Sequence, residues 1–282
     1  MILKPKCALF AAALAGVLSA SAAGPSGDGM IWAELLHLSS NMWNDDGAEN
    51  YQTSYRKIRA LSPKLLCDRA VWDSWIARTA ETKINMVVID LGDGVRYDSH
   101  PELAIEGSWT KDELRAELAR LRKLGIEPIP KLNFSARHDS WLKVYHRMLS
   151  TPKYYEVVAD VIRDTVEIFD HPRLFHIGYD EEMPAAEFNH FHVTVRQGDL
   201  WWHDLNYTID QVTRQGSRPV MWADKIWTGR AEFLKRMTKE ALLSNWYYRT
   251  DFSEKKQKWD AEFEKKGGWG ETRNGVAAFL AL

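Results

Sequence analysis

The chain has 282 residues, 45% of them hydrophobic, enough for one barrel-sized domain. Its formal net charge is −2 and its longest basic cluster is Lys255-Lys256 with Lys258, so neither nucleic acid nor an anionic membrane surface is indicated as a partner. Thirteen Trp offer flat apolar faces that stack on sugar rings but equally fill large cores, and composition alone leaves both readings open.

Met1 to Ala23 reads as an export signal. Lys4 and Lys6 precede the apolar run Cys7 to Leu18, and Ala20-Ser21-Ala22 supplies a small-residue cleavage site. The run is short for a membrane span, and no Cys follows it to carry a lipid anchor. The expected location is secreted or periplasmic, with residues 24–282 as the mature domain and no membrane attachment after signal removal. Cys67 is then the remaining thiol, so no internal disulfide is expected and packing must supply the stability.

Met30 to Leu38 reads as a first strand, followed by a polar turn and a mixed segment, Tyr51 to Leu66. Val71 to Thr82 has helical spacing. Asn85 to Leu91 is a compact β-rich run broken by Gly92-Asp93-Gly94. Thr110-Lys-Asp-Glu113 is a capping box that opens a helix over Leu114 to Leu124, and Gly125 stops it. Ile126 to Asn133 is a third strand, with Ile129, Lys131 and Asn133 or the alternate set facing inward; Pro128 and Pro130 argue for a sheet edge. Phe134 to Trp141 is a loop. Thr151-Pro152 opens a helix that runs to Phe169.

Phe175 to Glu182 is the fourth strand, an apolar run that feeds into three consecutive acids. Alternation sets His176, Gly178 and Asp180 on one face and Phe175, Ile177 and Tyr179 on the other. Leu200 to Arg214 is a helix, Arg218 to Asp224 a fifth strand, Ala231 to Met237 a short helix and Leu242 to Tyr248 a sixth strand. A charged amphipathic helix over Ser253 to Lys266 and a last apolar stretch, Gly275 to Leu282, follow.

Strand and helix thus alternate six times, which predicts an α/β fold with a parallel sheet and helices outside. A complete TIM (β/α)8 barrel takes roughly 250 residues, a length that serves six units here. The expectation is a TIM-type barrel lacking its last two units; the alternative is an open, six-stranded doubly wound sheet. An incomplete barrel leaves two apolar strand edges and favours self-association.

Parallel strands open their C-terminal ends on one face, so Asp180, Glu181, Trp222, Asp224, Asn245, Trp246 and Tyr247 would share one cavity. Acids mixed with aromatics suit sugar hydrolysis, in which an acid protonates the leaving oxygen and negative charge stabilises an oxocarbenium-like state. Adjacent carboxylates raise each other's proton affinity, which would keep one of Asp180 and Glu181 protonated near neutral pH. The plain alternatives are that these acids cap a turn, that His176 is a core residue, and that Trp222 and Trp246 fill the barrel. Glu182 is solvated or pairs with an Arg. Lys131 pairs with Asp180 or lies exposed. His190 and His192 lack a third ligand, and Asp90, Asp93 and Asp98 miss the calcium-loop spacing, so no metal and no cofactor is expected.

His176-Ile-Gly-Tyr-Asp-Glu181 resembles the His-x-Gly-Gly-Asp-Glu signature of the β-N-acetylhexosaminidases, glycoside hydrolase family twenty. Lys123-Leu-Gly-Ile-Glu-Pro-Ile-Pro130, Tyr154 to Pro172 and Val220-Met-Trp-Ala-Asp224 extend the resemblance. It implies Glu181 as general acid/base and Asp180 holding a substrate 2-acetamido group that itself acts as nucleophile. It also implies His138 as the loop histidine at the site, with an oligosaccharide or polysaccharide as substrate. The sequence departs from the family where Tyr179 replaces a second Gly and would narrow the pocket, where Lys131 and Asn133 replace acids, and in a first strand without an Arg. These departures carry the alternative of an inactive carbohydrate-binding or remnant barrel.

Overall fold

The computed structural model describes residues 29–182 and 190–246. The signal segment, Met183-Pro184, Tyr247 and the two expected C-terminal elements lie outside the described residues. Six strands form one parallel sheet in the order β1 to β6: β1 Ala33–His37, β2 Met86–Asp90, β3 Glu127–Lys131, β4 Leu174–His176, β5 Arg218–Trp222 and β6 Leu242–Ser244. Spatial order follows sequence order throughout, without the reversal a doubly wound sheet requires. The sheet therefore has the run of an α/β barrel wall.

Helices α1 Ser54–Arg59, α2 Arg69–Thr79, α3 Lys111–Lys123, α4 Pro152–Ile168, α5 Gly198–Arg214 and α6 Arg230–Arg236 alternate with the strands. Local chemistry sets their ends. Thr110 and Glu113 close a reciprocal capping box at α3, and the Thr151 hydroxyl accepts from Tyr154 N with Pro152 in the first turn of α4. Gly125, at φ +75, follows the end of α3. The mixed segment Tyr51 to Leu66 contains α1, whose six residues are too few to leave a periodic signature.

Alternate residues divide the core as the strand periodicity requires. Val87, Ile89, Phe175, Ile177 and Met221 join the main cluster with Leu118, Val158, Trp201 and Leu205 of the helices. Met86, Val88, Ile129 and Leu174 form a second, smaller cluster with Leu35, Val220 and Leu242 inside the curl of the sheet.

β3 is internal, paired to β2 and β4, which corrects the edge position that its prolines suggest. Glu127 N donates to Asn85 O and Leu132 N to His176 O, so the odd positions of β3 face β2 and the even ones face β4. The donors missing at Pro128 and Pro130 therefore fall toward β4, where the paired register contracts to Lys131 against His176.

Candidate active site

The inner face becomes polar toward the C-terminal strand ends. His37, Asp90, Lys131 and His176 form a layer above the aliphatic cluster. Lys131 pairs with Asp90, both almost fully buried, and His37 Nδ1 lies 3.3 Å from the same carboxylate. Burial opposes the Asp90 charge, but the Lys131 ammonium and His37 together outweigh it and hold the carboxyl below its ordinary range. Lys131 thus takes Asp90 as its partner, neither pairing with Asp180 nor lying exposed, because register aligns the two across β2 and β3.

His176 is buried, and its Nδ1 accepts from Gly178 N at 3.0 Å, while its ring lies 4.8 Å from that of half-buried Trp222. Burial and the Lys131 charge push it down to about 3, so the ring is neutral. The backbone then enters a turn in which Gly178, Tyr179 and Glu181 have φ of +76, +69 and +54. A left-handed non-glycine residue costs on the order of 1–3 kcal/mol unless its surroundings fix it. Gly178 is required twice over: a Cβ there would lie 2.8 Å from Asn133 Cα and nearer still to its side-chain amide. Tyr179 points outward, its hydroxyl 3.0 Å from Thr208 Oγ1 and its ring against Trp201. It packs the helical layer and leaves the pocket unnarrowed, contrary to expectation, because odd positions of this strand face the helices.

This turn delivers Asp180 and Glu181 to the strand-end face. Asn133 Nδ2 donates to Asp180 Oδ1 at 2.8 Å, and Ser135 Oγ donates to Asp180 O at 2.6 Å. His138, from the loop after β3, places Nε2 3.2 Å from Asp180 Oδ2 and 3.4 Å from Glu181 Oε2. Burial disfavours charge on the His138 ring, but the Asp180 carboxylate overcomes it and raises the ring to about 9. Burial likewise opposes the Asp180 charge, and His138 reverses the balance, holding Asp180 well below the usual carboxylate range. Contact with His138 holds Glu181 low as well.

Asp224 follows β5 at the start of a 3-10 turn, Asp224–Trp227. Its Oδ2 accepts from Glu181 N at 2.8 Å, and burial, reinforced by the Asp180 charge, pushes it up to about 7. The carboxyl that retains a proton near neutrality is thus Asp224, instead of one of the adjacent pair, because His138 supplies the pair with positive charge that Asp224 lacks. Trp246, two residues past β6, is half-buried with its ring 4.4 Å from Trp227.

Glu182 has an Arg partner, Arg196. Nε lies 2.5 Å from Glu182 Oε1 and Nη2 3.0 Å from Oε2, while Nη1 reaches Asp204 Oδ2 at 3.1 Å and Nη2 donates to Phe134 O at 2.6 Å. This buried lock fixes the end of the acidic turn. Sequence reasoning passed over Arg196, Asn133 as a ligand of Asp180, and Ser135. Asn133 is the one with a legible signal, two residues beyond Lys131 on the inner face of the neighbouring strand.

Known structures share this architecture. A family twenty chitobiase from Flavobacterium johnsoniae superposes with a TM-score of 0.55 at 17% identity, over 85% of this chain and 37% of that one. An exo-β-N-acetylglucosaminidase from Vibrio harveyi gives 0.51 at 16% identity, over 73% and 38%. A β-N-acetylhexosaminidase from Streptomyces coelicolor gives 0.50 at 16% identity, over 84% and 46%. The chain therefore has the fold of the glycoside hydrolase family twenty barrel and spans 37–46% of the length of these enzymes. No family model matches the sequence, and no curated protein matches it.

Proposed function

We propose that this chain is an exported glycoside hydrolase that cleaves β-linked N-acetylhexosamine or a related glycan. Glu181 acts as general acid/base, and Asp180 orients the 2-acetamido group that attacks the anomeric carbon. The observation that carries this reading is the Asp180–Glu181 turn at the end of β4, with one histidine, His138, reaching both carboxylates. An ionised Asp180 suits a group that must accept a hydrogen bond from an amide N–H and stabilise the positive charge developing on it. Trp222 and Trp246 supply aromatic surfaces for the sugar, and His176 supports the turn from below through Gly178.

The test is turnover of a panel of chromogenic glycosides by the parent and by Glu181→Gln. Activity on an N-acetylglucosaminide or N-acetylgalactosaminide, lost by a factor on the order of 10² or more in the variant, is expected. No turnover on any glycoside refutes the enzyme reading. A second reading, a barrel that binds glycans without cutting them, is favoured by the ionised state of Glu181 beside His138. Calorimetric binding of chito-oligosaccharides without turnover would establish it.

A further inference from the structure

The strained residue at the centre of the proposed chemistry is Glu181. Its side chain is 41% exposed and so receives little packing support, yet its backbone sits at φ +54. Left-handed non-glycine residues persist where neighbours over-determine them. Tyr179, the other such residue of the turn, is held by burial, by Thr208 and by the Arg196 guanidinium 4.7 Å from its ring. Glu181 has no comparable packing.

We propose that Asp224 is the positioning residue for Glu181, a β5 carboxyl that clamps the Glu181 main chain and thereby fixes where its side chain enters the site. The geometry is direct. Asp224 is 2% exposed, and its Oδ2 accepts the Glu181 N–H at 2.8 Å across the strand-end gap between β4 and β5. Its other oxygen, Oδ1, is buried without a hydrogen-bond partner among the described residues. The 3-10 turn that begins at Asp224 closes with Ile226 N donating to Ala223 O, and buried Ile226 anchors it. The acceptor is thus presented from a rigid element, as positioning groups require. Burial and the Asp180 charge raise Asp224 to about 7, so near neutrality it carries only part of a third negative charge beside Asp180 and Glu181, the ionisable groups that face it, with His138 behind them.

The consequence for catalysis rests on the glycosidase reading above; the clamp itself does not. Amide hydrogen exchange at Glu181, followed by NMR in the full chain, reads the clamp directly. Asp224→Asn keeps an acceptor oxygen and should keep the amide protected, whereas Asp224→Ala should speed its exchange about tenfold or more. Exchange at Val88, deep in β2, serves as the folding control and should not change. If Asp224→Ala fails to fold, Asp224→Ser, too short to reach the amide, takes its place.

On a chromogenic N-acetylglucosaminide, Asp224→Ala should lower kcat by roughly 10²-fold with KM little changed, the size expected for an ångström-scale misplacement. Asp224→Asn should recover most of that loss. Unchanged Glu181 exchange in Asp224→Ala, or equal kcat losses in the Ala and Asn variants, overturns the proposal. If the parent protein shows no turnover, the glycosidase reading fails, and the exchange measurement still decides the clamp.

Discussion

Replacing Arg196 by Met probes the lock that holds the acidic turn from behind. Arg196 and Glu182 are each 1% exposed at their side chains. Without the guanidinium, Asp204 retains Ser150 Oγ at 2.6 Å and the Tyr155 hydroxyl at 2.6 Å, so it stays satisfied. Among the described residues Glu182 keeps only a long bond from Ala136 N, 3.4 Å, and Phe134 O loses its Arg donor. Stranding one buried carboxylate costs about 3–5 kcal/mol, and the orphaned carbonyl adds about 1 kcal/mol. That is a large part of the roughly 5–15 kcal/mol that holds a domain folded. In urea, with a slope of about 1–3 kcal/mol per molar, the midpoint should fall by ~1 M or more. Adding Glu182→Leu to Arg196→Met should restore most of the loss, because the carboxylate left behind, Asp204, keeps its bonds from Ser150 and Tyr155. A single variant that loses under ~1 kcal/mol, or a double variant no more stable than the single, refutes the reasoning.

Gly178→Ala meets both a left-handed φ of +76 and the Asn133 backbone 2.8 Å from the new Cβ. It should lower thermal stability by about 2–4 kcal/mol and weaken the proposed activity beyond the folded fraction, since Asn133 must move away from Asp180. A melt equal to the parent's would count against this geometry. Thr110→Ala removes half of the capping box of α3 and should cost about 1 kcal/mol in the same melt, with activity unchanged because the cap lies on the outer helical layer.

Strand order and the caps of α3 and α4 were legible in the chain because each rests on local periodicity or a short motif; the fourth strand, expected to run from Phe175 to Glu182, ends at His176, because the backbone turns left-handed from Gly178. The placement of Asp180 and Glu181 at a strand end followed from the same periodicity. Partnerships across strands were not legible. Lys131 meets Asp90 through the β2–β3 register, and Arg196 meets Glu182 through the return of α5 against α4. The prolines of β3 misled because a propensity rule cannot tell which side of a strand carries the missing donors. Adjacency in sequence also misled about protonation. Asp180 and Glu181 are neighbours, but the histidine between their oxygens comes from a loop some forty residues earlier, and it sets their charge.

His138 therefore controls the proton that the proposed chemistry needs. In the substrate-free protein the ring is raised to about 9 and Glu181 is ionised beside it. A sugar seated on Glu181, 41% exposed before binding, removes water from it, and desolvation raises the proton affinity of a carboxylate. An acidic proton within reach is on His138 Nε2, 3.4 Å from Glu181 Oε2 and 3.2 Å from Asp180 Oδ2. Binding should thus move that proton to Glu181 and arm it as the acid. The sign for stability follows from the same shift. A ring raised above its unfolded value of about 6.5 contributes stability fully present below that pH and lost as pH climbs through about 9, worth about 3 kcal/mol. His138→Gln should abolish this decline in urea titrations between pH 6.5 and 9. It should also remove the alkaline limb of kcat/KM near pH 9, which reports the free enzyme, and lower kcat/KM about 10²-fold at neutral pH. An alkaline limb that stays in place in His138→Gln would assign the proton to another group.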